Sequence, residues 1–169
     1  MRAPVRPPRA GRATLLARAR LLVASGLAFA AVAPALAQQF KLGPLTIERP
    51  WVRATPKGAE VASGYLVIRN DGDAADTLTG VTADFAVGQV HEMKMDGGMM
   101  TMRELPDGLE IPPHGAVTLS PGGYHLMFVK LTRPLAKGDA VDVTLSFAHA
   151  GKIDVRFPVA GVGASGPDM

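Results

Sequence analysis

The 169-residue sequence contains no cysteine. That absence excludes thiol redox chemistry, cysteine nucleophiles, thiolate zinc sites and blue-copper centres, which need a cysteine ligand. It also removes disulfides as a source of stability, which a domain of this size can do without. Other absences narrow the function further. There is no Ser-His-Asp arrangement, no phosphate-binding loop and no carboxylate pair with separable acid and base roles. Gly72 and Gly80 belong to turns and fit no dinucleotide fingerprint. Beyond the first forty residues, no window sustains a 3.6-residue apolar period, so amphipathic helices are not expected.

The first forty residues also lack any acidic side chain, while carrying Arg2, Arg6, Arg9, Arg12, Arg18 and Arg20. An apolar run from Leu21 to about Ala33 follows, then Pro34 and Ala35-Leu36-Ala37. This is the order of a secretory signal: basic region, short apolar region, small-residue cleavage site. The apolar run is short for a bilayer span, so a retained membrane anchor is the weaker reading. No two arginines are adjacent, which favours general secretion over a twin-arginine route. The expected organisation is a cleaved signal over 1–37, a single domain over 38–159 and a flexible tail over 160–169. Cleavage reverses the charge. The chain has 18 Lys and Arg against 15 Asp and Glu, and losing six arginines leaves 12 against 15, a net −3. The basic isoelectric point belongs to the leader, and no basic patch argues for nucleic acid.

Beyond the leader, short β-rich segments alternate with turns. The strand-like segments are Gly64–Arg69, Thr77–Thr82, Val87–Val90, Ala116–Leu119, His125–Leu131, Ala140–Phe147 and Lys152–Pro158. Between them lie Asn70-Asp71-Gly72-Asp73, Pro106-Asp107-Gly108, Pro112-Pro113-His114-Gly115, Pro121-Gly122-Gly123 and Lys137-Gly138-Asp139. Val141, Val143, Leu145 and Phe147 alternate with Asp142, Thr144 and Ser146, giving one buried and one wet face. The pattern predicts an all-β sandwich or barrel with Greek-key connections.

What is abundant is methionine, and it is concentrated. Residues 91–102 read HEMKMDGGMMTM, with five methionines in a polar, glycine-broken stretch. A sixth, Met127, lies two residues from His125, so both project from one face of a strand. His91 is expected to end one strand and Met102 to open another after an Asp96-Gly97-Gly98 turn. Two His-plus-Met pairs could then meet at one end of a sandwich. Thioether with neutral imidazole suits a soft monovalent ion, Cu(I) above all. Zinc would recruit cysteine, carboxylate or more histidine, and calcium or magnesium would take oxygen. The residues leave a second reading open, an adaptable methionine surface for a protein partner. His114 and His149 are expected to be exposed turn residues. Trp51 is expected as a core anchor rather than a lid, and Asp84, Glu92, Asp96 and Glu104 as a solvated face.

The combined pattern resembles the periplasmic copper chaperone PCu(A)C family. Ten residues separate His91 from Met102, and twenty-two separate Met102 from the His125-Leu126-Met127 triplet. Leu109–Gly115, Pro121–Met127 and an Arg-Pro-Trp start at Trp51 extend the resemblance over nearly the whole segment after the leader. It implies a cupredoxin-like Greek-key sandwich or barrel and a monomeric, non-enzymatic periplasmic protein. It implies one transported Cu(I) held by His91, Met102, His125 and Met127. The implied destination is the CuA centre of cytochrome c oxidase, through subunit II or a Sco-type protein. Some members carry a His- and Met-rich tail for a second copper; this tail has only Met169, so that site is not expected. A copper buffer without an acceptor, or an Ig-like interaction module, are the competing readings.

Overall fold

The computed structural model describes residues 39–167. The expected signal over 1–37 and Met169 lie outside the described residues. All described elements are strands: β1 (Gln39–Leu42), β2 (Leu45–Arg53), β3 (Val61–Asn70), β4 (Asp76–Ala83), β5 (Ala86–Asp96), β6 (Met99–Glu104), β7 (Leu109–Ile111), β8 (Gly115–Leu119), β9 (Tyr124–Val129), β10 (Ala140–Phe147) and β11 (Gly151–Ala160). Hydrogen-bonded neighbours run β5-β9-β3-β2-β11-β10-β4 and return to β5, so the sheet closes on itself. Closure removes the open edges that a sheet of this size would otherwise expose. The fold is the expected all-β, cupredoxin-like Greek-key barrel.

Alternation decides which face is inside. Along β10, Val141, Val143, Leu145 and Phe147 are all buried, as the sequence pattern requires. They meet Ile47, Ile68, Leu78, Leu126, Leu135, Val155 and Phe157 in one core, with Phe85 and Phe128 ring centroids 5.2 Å apart. Trp51 is buried, but in a separate small cluster with Tyr65 and Ala160, its ring 4.5 Å from that of Tyr65. Arg53 stacks over the same tyrosine and donates from Nε and Nη2 to the Ala164 carbonyl at 3.2 and 2.7 Å. The first residues of the expected tail are thereby tied to the barrel.

Besides the short β7 and shifts of a few residues at strand ends, the strands differ from the sequence expectation in two main places. β1 and β2 were not anticipated, because Arg49-Pro50 interrupts the run and proline cannot donate to a ladder. The chain absorbs the proline with a register shift between Glu48 and Trp51 and a left-handed φ of 49° at Arg49. The second difference concerns the methionines. His91 does not end its strand: β5 continues to Asp96, and β6 begins at Met99 rather than Met102. Gly97 and Gly98, with φ of 57° and 83°, form the two-residue connection. Positive φ at both positions is what a tight hairpin with the right-handed twist demands. Ladder pairing with β9 stops at Glu92↔Tyr124, and beyond Met93, whose amide still bonds the Gly123 carbonyl, the hairpin is an arm paired with itself.

Candidate metal centre

Two registers build the site. In the β5–β9 ladder, His91 stands opposite His125 and Gln89 opposite Met127. In the β5–β6 ladder, His91 stands opposite Glu104, Met93 opposite Met102 and Met95 opposite Met100. Because side chains alternate, Gln89, His91, Met93 and Met95 share one face with His125, Met127, Glu104, Met102 and Met100. The intervening Val90 and Leu126 point into the core and are buried. The His/Met face is therefore the outer face of the barrel wall, continued onto the arm. The opposite face of the arm carries Glu92, Lys94, Asp96, Thr101 and Arg103, with Arg103 paired to Glu92 at 3.0 Å.

The two imidazoles lie with ring centroids 5.7 Å apart and planes tilted by 46°. Each has one nitrogen already engaged. Nδ1 of His125 is 3.1 Å from the Gly123 carbonyl, which can only accept, so Nδ1 carries the proton. Its Nε2 is then the lone-pair nitrogen. The same carbonyl takes the Met93 amide at 3.1 Å, fixing β5 against the turn that orients the ring.

For His91 the tautomer follows from a relay. The Glu104 carboxylate accepts from Gln89 Nε2 at 3.2 Å, which sets the orientation of the amide. Gln89 Oε1 then faces His91 Nε2 at 3.2 Å and must receive its proton. The remaining nitrogen, His91 Nδ1, is buried and has no hydrogen-bond partner, the one such side-chain atom among the described residues. A buried lone pair without a donor costs on the order of 1–3 kcal/mol. A cation placed there would supply the missing partner.

Electrostatics keep that lone pair free. Burial lowers the His91 pKa from its ordinary 6.5, repulsion from His125 lowers it further, and Glu104 partly opposes both. Among the described residues, no group of three or more His, Cys, Asp or Glu side chains is placed to hold a metal. The thioethers that share the face of the two imidazoles are donors that suit a soft ion.

The four residues expected as ligands are distributed unevenly. His91, His125 and Met127 occupy adjacent positions on two paired strands, and His125 is only 4% exposed. Met102 shares their face but sits one strand farther out, opposite Met93, and is 52% exposed. Met93, expected only as a neighbour, follows His91 on the same face of the same strand. The supporting roles of Gln89, Glu104 and the Gly123 carbonyl were not anticipated, although Glu104 is solvent-exposed as expected. Only the strand period linked Gln89 to His91, and nothing in the chain order linked Glu104 to either. His114, in its turn, pairs with Asp73 at 2.9 Å, away from the site.

Replacing Gln89 with leucine removes the acceptor that holds His91 Nε2–H. Loss of such an outer-shell partner typically costs about 10–100-fold in metal affinity. A Gln89→Leu variant should show a drop of that order in a chelator competition, with its melting temperature nearly unchanged.

The family described as "Putative lipoprotein LpqE-like" matches residues 45–159. A protein of Leifsonia xyli subsp. xyli, named "Putative lipoprotein Lxx21020", is 33% identical over 114 residues, 67% of this chain and 68% of that one. Among solved structures, the copper-bound PCuAC domain from PmoF2 superposes with a TM-score of 0.62 at 31% identity, covering 73% of this chain and 98% of that one. The CuI form of DR1885 from Deinococcus radiodurans gives 0.57 at 28% identity, covering 75% and 83%. The chain belongs to the LpqE-like family, and its closed barrel carries the fold of PCuAC domains.

Proposed function

We propose that this protein is a periplasmic, non-enzymatic copper carrier that binds one Cu(I) through His91 Nδ1, His125 Nε2, Met127 and Met102. The observation that carries the reading is the unpartnered, buried Nδ1 of His91 beside a second imidazole whose Nδ1 is already committed. Two neutral imidazoles and thioethers give a site of net zero charge, which favours the monovalent ion. The copper-bound and CuI forms among the related structures support the identity of the metal.

Met102 is the diagonal, same-face neighbour of His91 across the β5–β6 ladder, a spacing of about 7–8 Å that a long side chain spans. Met93, two residues from His91 on the same face, is the second reading for this one position. X-ray absorption of the Cu(I)-loaded protein should count two nitrogen and two sulfur neighbours. Met127→Leu should lose one sulfur in either reading. Met102→Leu should lose a second in the first reading, and Met93→Leu should do so in the other. Leucine keeps much of the volume, so the fold should survive each change. A spectrum with no sulfur neighbours would overturn the assignment.

An exposed thioether on the arm lets an acceptor replace ligands one at a time, and softer thiolates would draw Cu(I) onward. The acceptor proposed is the CuA site of cytochrome c oxidase subunit II or a Sco-type protein. Deleting the gene should lower oxidase activity, with recovery on added copper. Copper sensitivity with normal oxidase would point to buffering instead.

A further inference from the structure

The arm holds more methionine than one copper site uses. Met95 and Met100 form a second cross-strand pair outside Met93 and Met102, on the same face and beside the Gly97-Gly98 turn. They are 60% and 55% exposed. Neither face of the arm is packed on the barrel core, since β6 is exposed along its whole length. These side chains therefore do not fill a core. Directly opposed residues in an antiparallel pair have Cβ atoms about 4.5–5.5 Å apart. Two flexible thioethers at that separation can close on one ion between them. The neighbouring Met93–Met102 pair is one step along the same face, towards the imidazoles.

We propose that Met95 and Met100 form a second, thioether-only site for a soft monovalent cation, from which the ion passes inward along the methionine face to His91 and His125. This rests on the copper site proposed above and adds an entry station to it. No electron moves: the ion stays monovalent, exchanging thioether ligands for imidazole as it travels. With no imidazole, the outer site binds more weakly than the inner one, so transfer runs downhill. The structure also supplies a control. Met99 is the most exposed methionine of the arm, at 70%, but stands opposite Asp96 on the other face.

The test uses Ag(I), a redox-inert soft monovalent ion, titrated into the full chain with its methionine methyl groups carbon-13 labelled. The first equivalent should shift the Met127 methyl, and the second should shift Met95 and Met100 while Met99 stays in place. A Met95→Leu/Met100→Leu double variant should lose the second equivalent and keep the first. Retention of the second equivalent in that variant, or its loss in Met99→Leu, would overturn the outer site. Absence of the first equivalent from the native chain would instead strike at the inner His/Met site, so the two failures are distinguishable.

Discussion

Replacing His91 with leucine should lower Cu(I) affinity by about a hundredfold or more, since even a residue that only orients a ligand costs 10–100-fold. The same change should leave the metal-free protein as stable as before, or more so. Nδ1 of His91 is buried without a partner, and burying an unpaired polar atom is unfavourable by on the order of 1–3 kcal/mol. Leucine removes that penalty and gives up only the 3.2 Å contact to Gln89. A purely structural histidine would behave oppositely, losing stability on substitution and leaving copper uptake unchanged. Measuring chelator competition and thermal unfolding on the same variant separates the two.

The pH dependence carries the same sign. His91 has its pKa lowered, first by burial and then by the charge of His125, so protons compete with metal only below the ordinary imidazole range. Cu(I) affinity should be flat on the alkaline side of pH 6.5 and fall on the acid side, as the His91 lone pair is taken up. His91→Leu should lose this part of the acid fall together with its affinity.

The second large effect lies outside the candidate metal centre. Asp76 opens β4 and is buried. Its Oδ1 accepts the amides of Thr77 at 2.7 Å and His149 at 3.0 Å, and Oδ2 accepts that of Ala150 at 2.8 Å. One carboxylate thus holds the β10–β11 turn against the start of β4. Asp76→Ala leaves these donors without their acceptor at about 1 kcal/mol or more each, or about 3 kcal/mol together. That corresponds to a fall of roughly 10 °C in melting temperature for a domain of this size. A loss below about 1 kcal/mol would show that water replaces the carboxylate at no cost.

Burial alone would raise the Asp76 pKa, but the amides of His149, Ala150 and Thr77 outweigh it, helped by the His149 charge. The net pKa lies below 3.8, so the charged form is favoured by folding. The contribution is complete above that pH and disappears as pH falls through the folded-state value. The native protein should therefore lose stability steeply in that acid window, and Asp76→Ala should show a shallower decline.

Where the sequence and the structure agree, the physical signal is local. β10 was legible because Val141, Val143, Leu145 and Phe147 bury one face and leave the other wet. β6 was only half legible because all six of its residues are exposed, so burial imposes no alternation on it. β2 was hidden by Pro50, whose cost is met by a bulge that no local pattern announces. The turn at Gly97-Gly98 was foreseen, but not that both strands continue up to it. That extension adds Met93 and Met95 to the face of His91.

The sequence by itself determined the residue chemistry: no thiol, two well-placed histidines, and thioethers concentrated where a core would not need them. It also determined the all-β class, through alternation and turn residues that act over a few positions. Only the tertiary structure decided which side chains share a face and which nitrogen is free. Register between β5, β6 and β9 is set by closure of the barrel and by hydrogen bonds across strands distant in the chain. The lone pair of His91 depends on Gln89 and Glu104, fifteen residues apart yet 3.2 Å from one another. A tautomer is fixed by such three-dimensional partners, and chain order does not encode them.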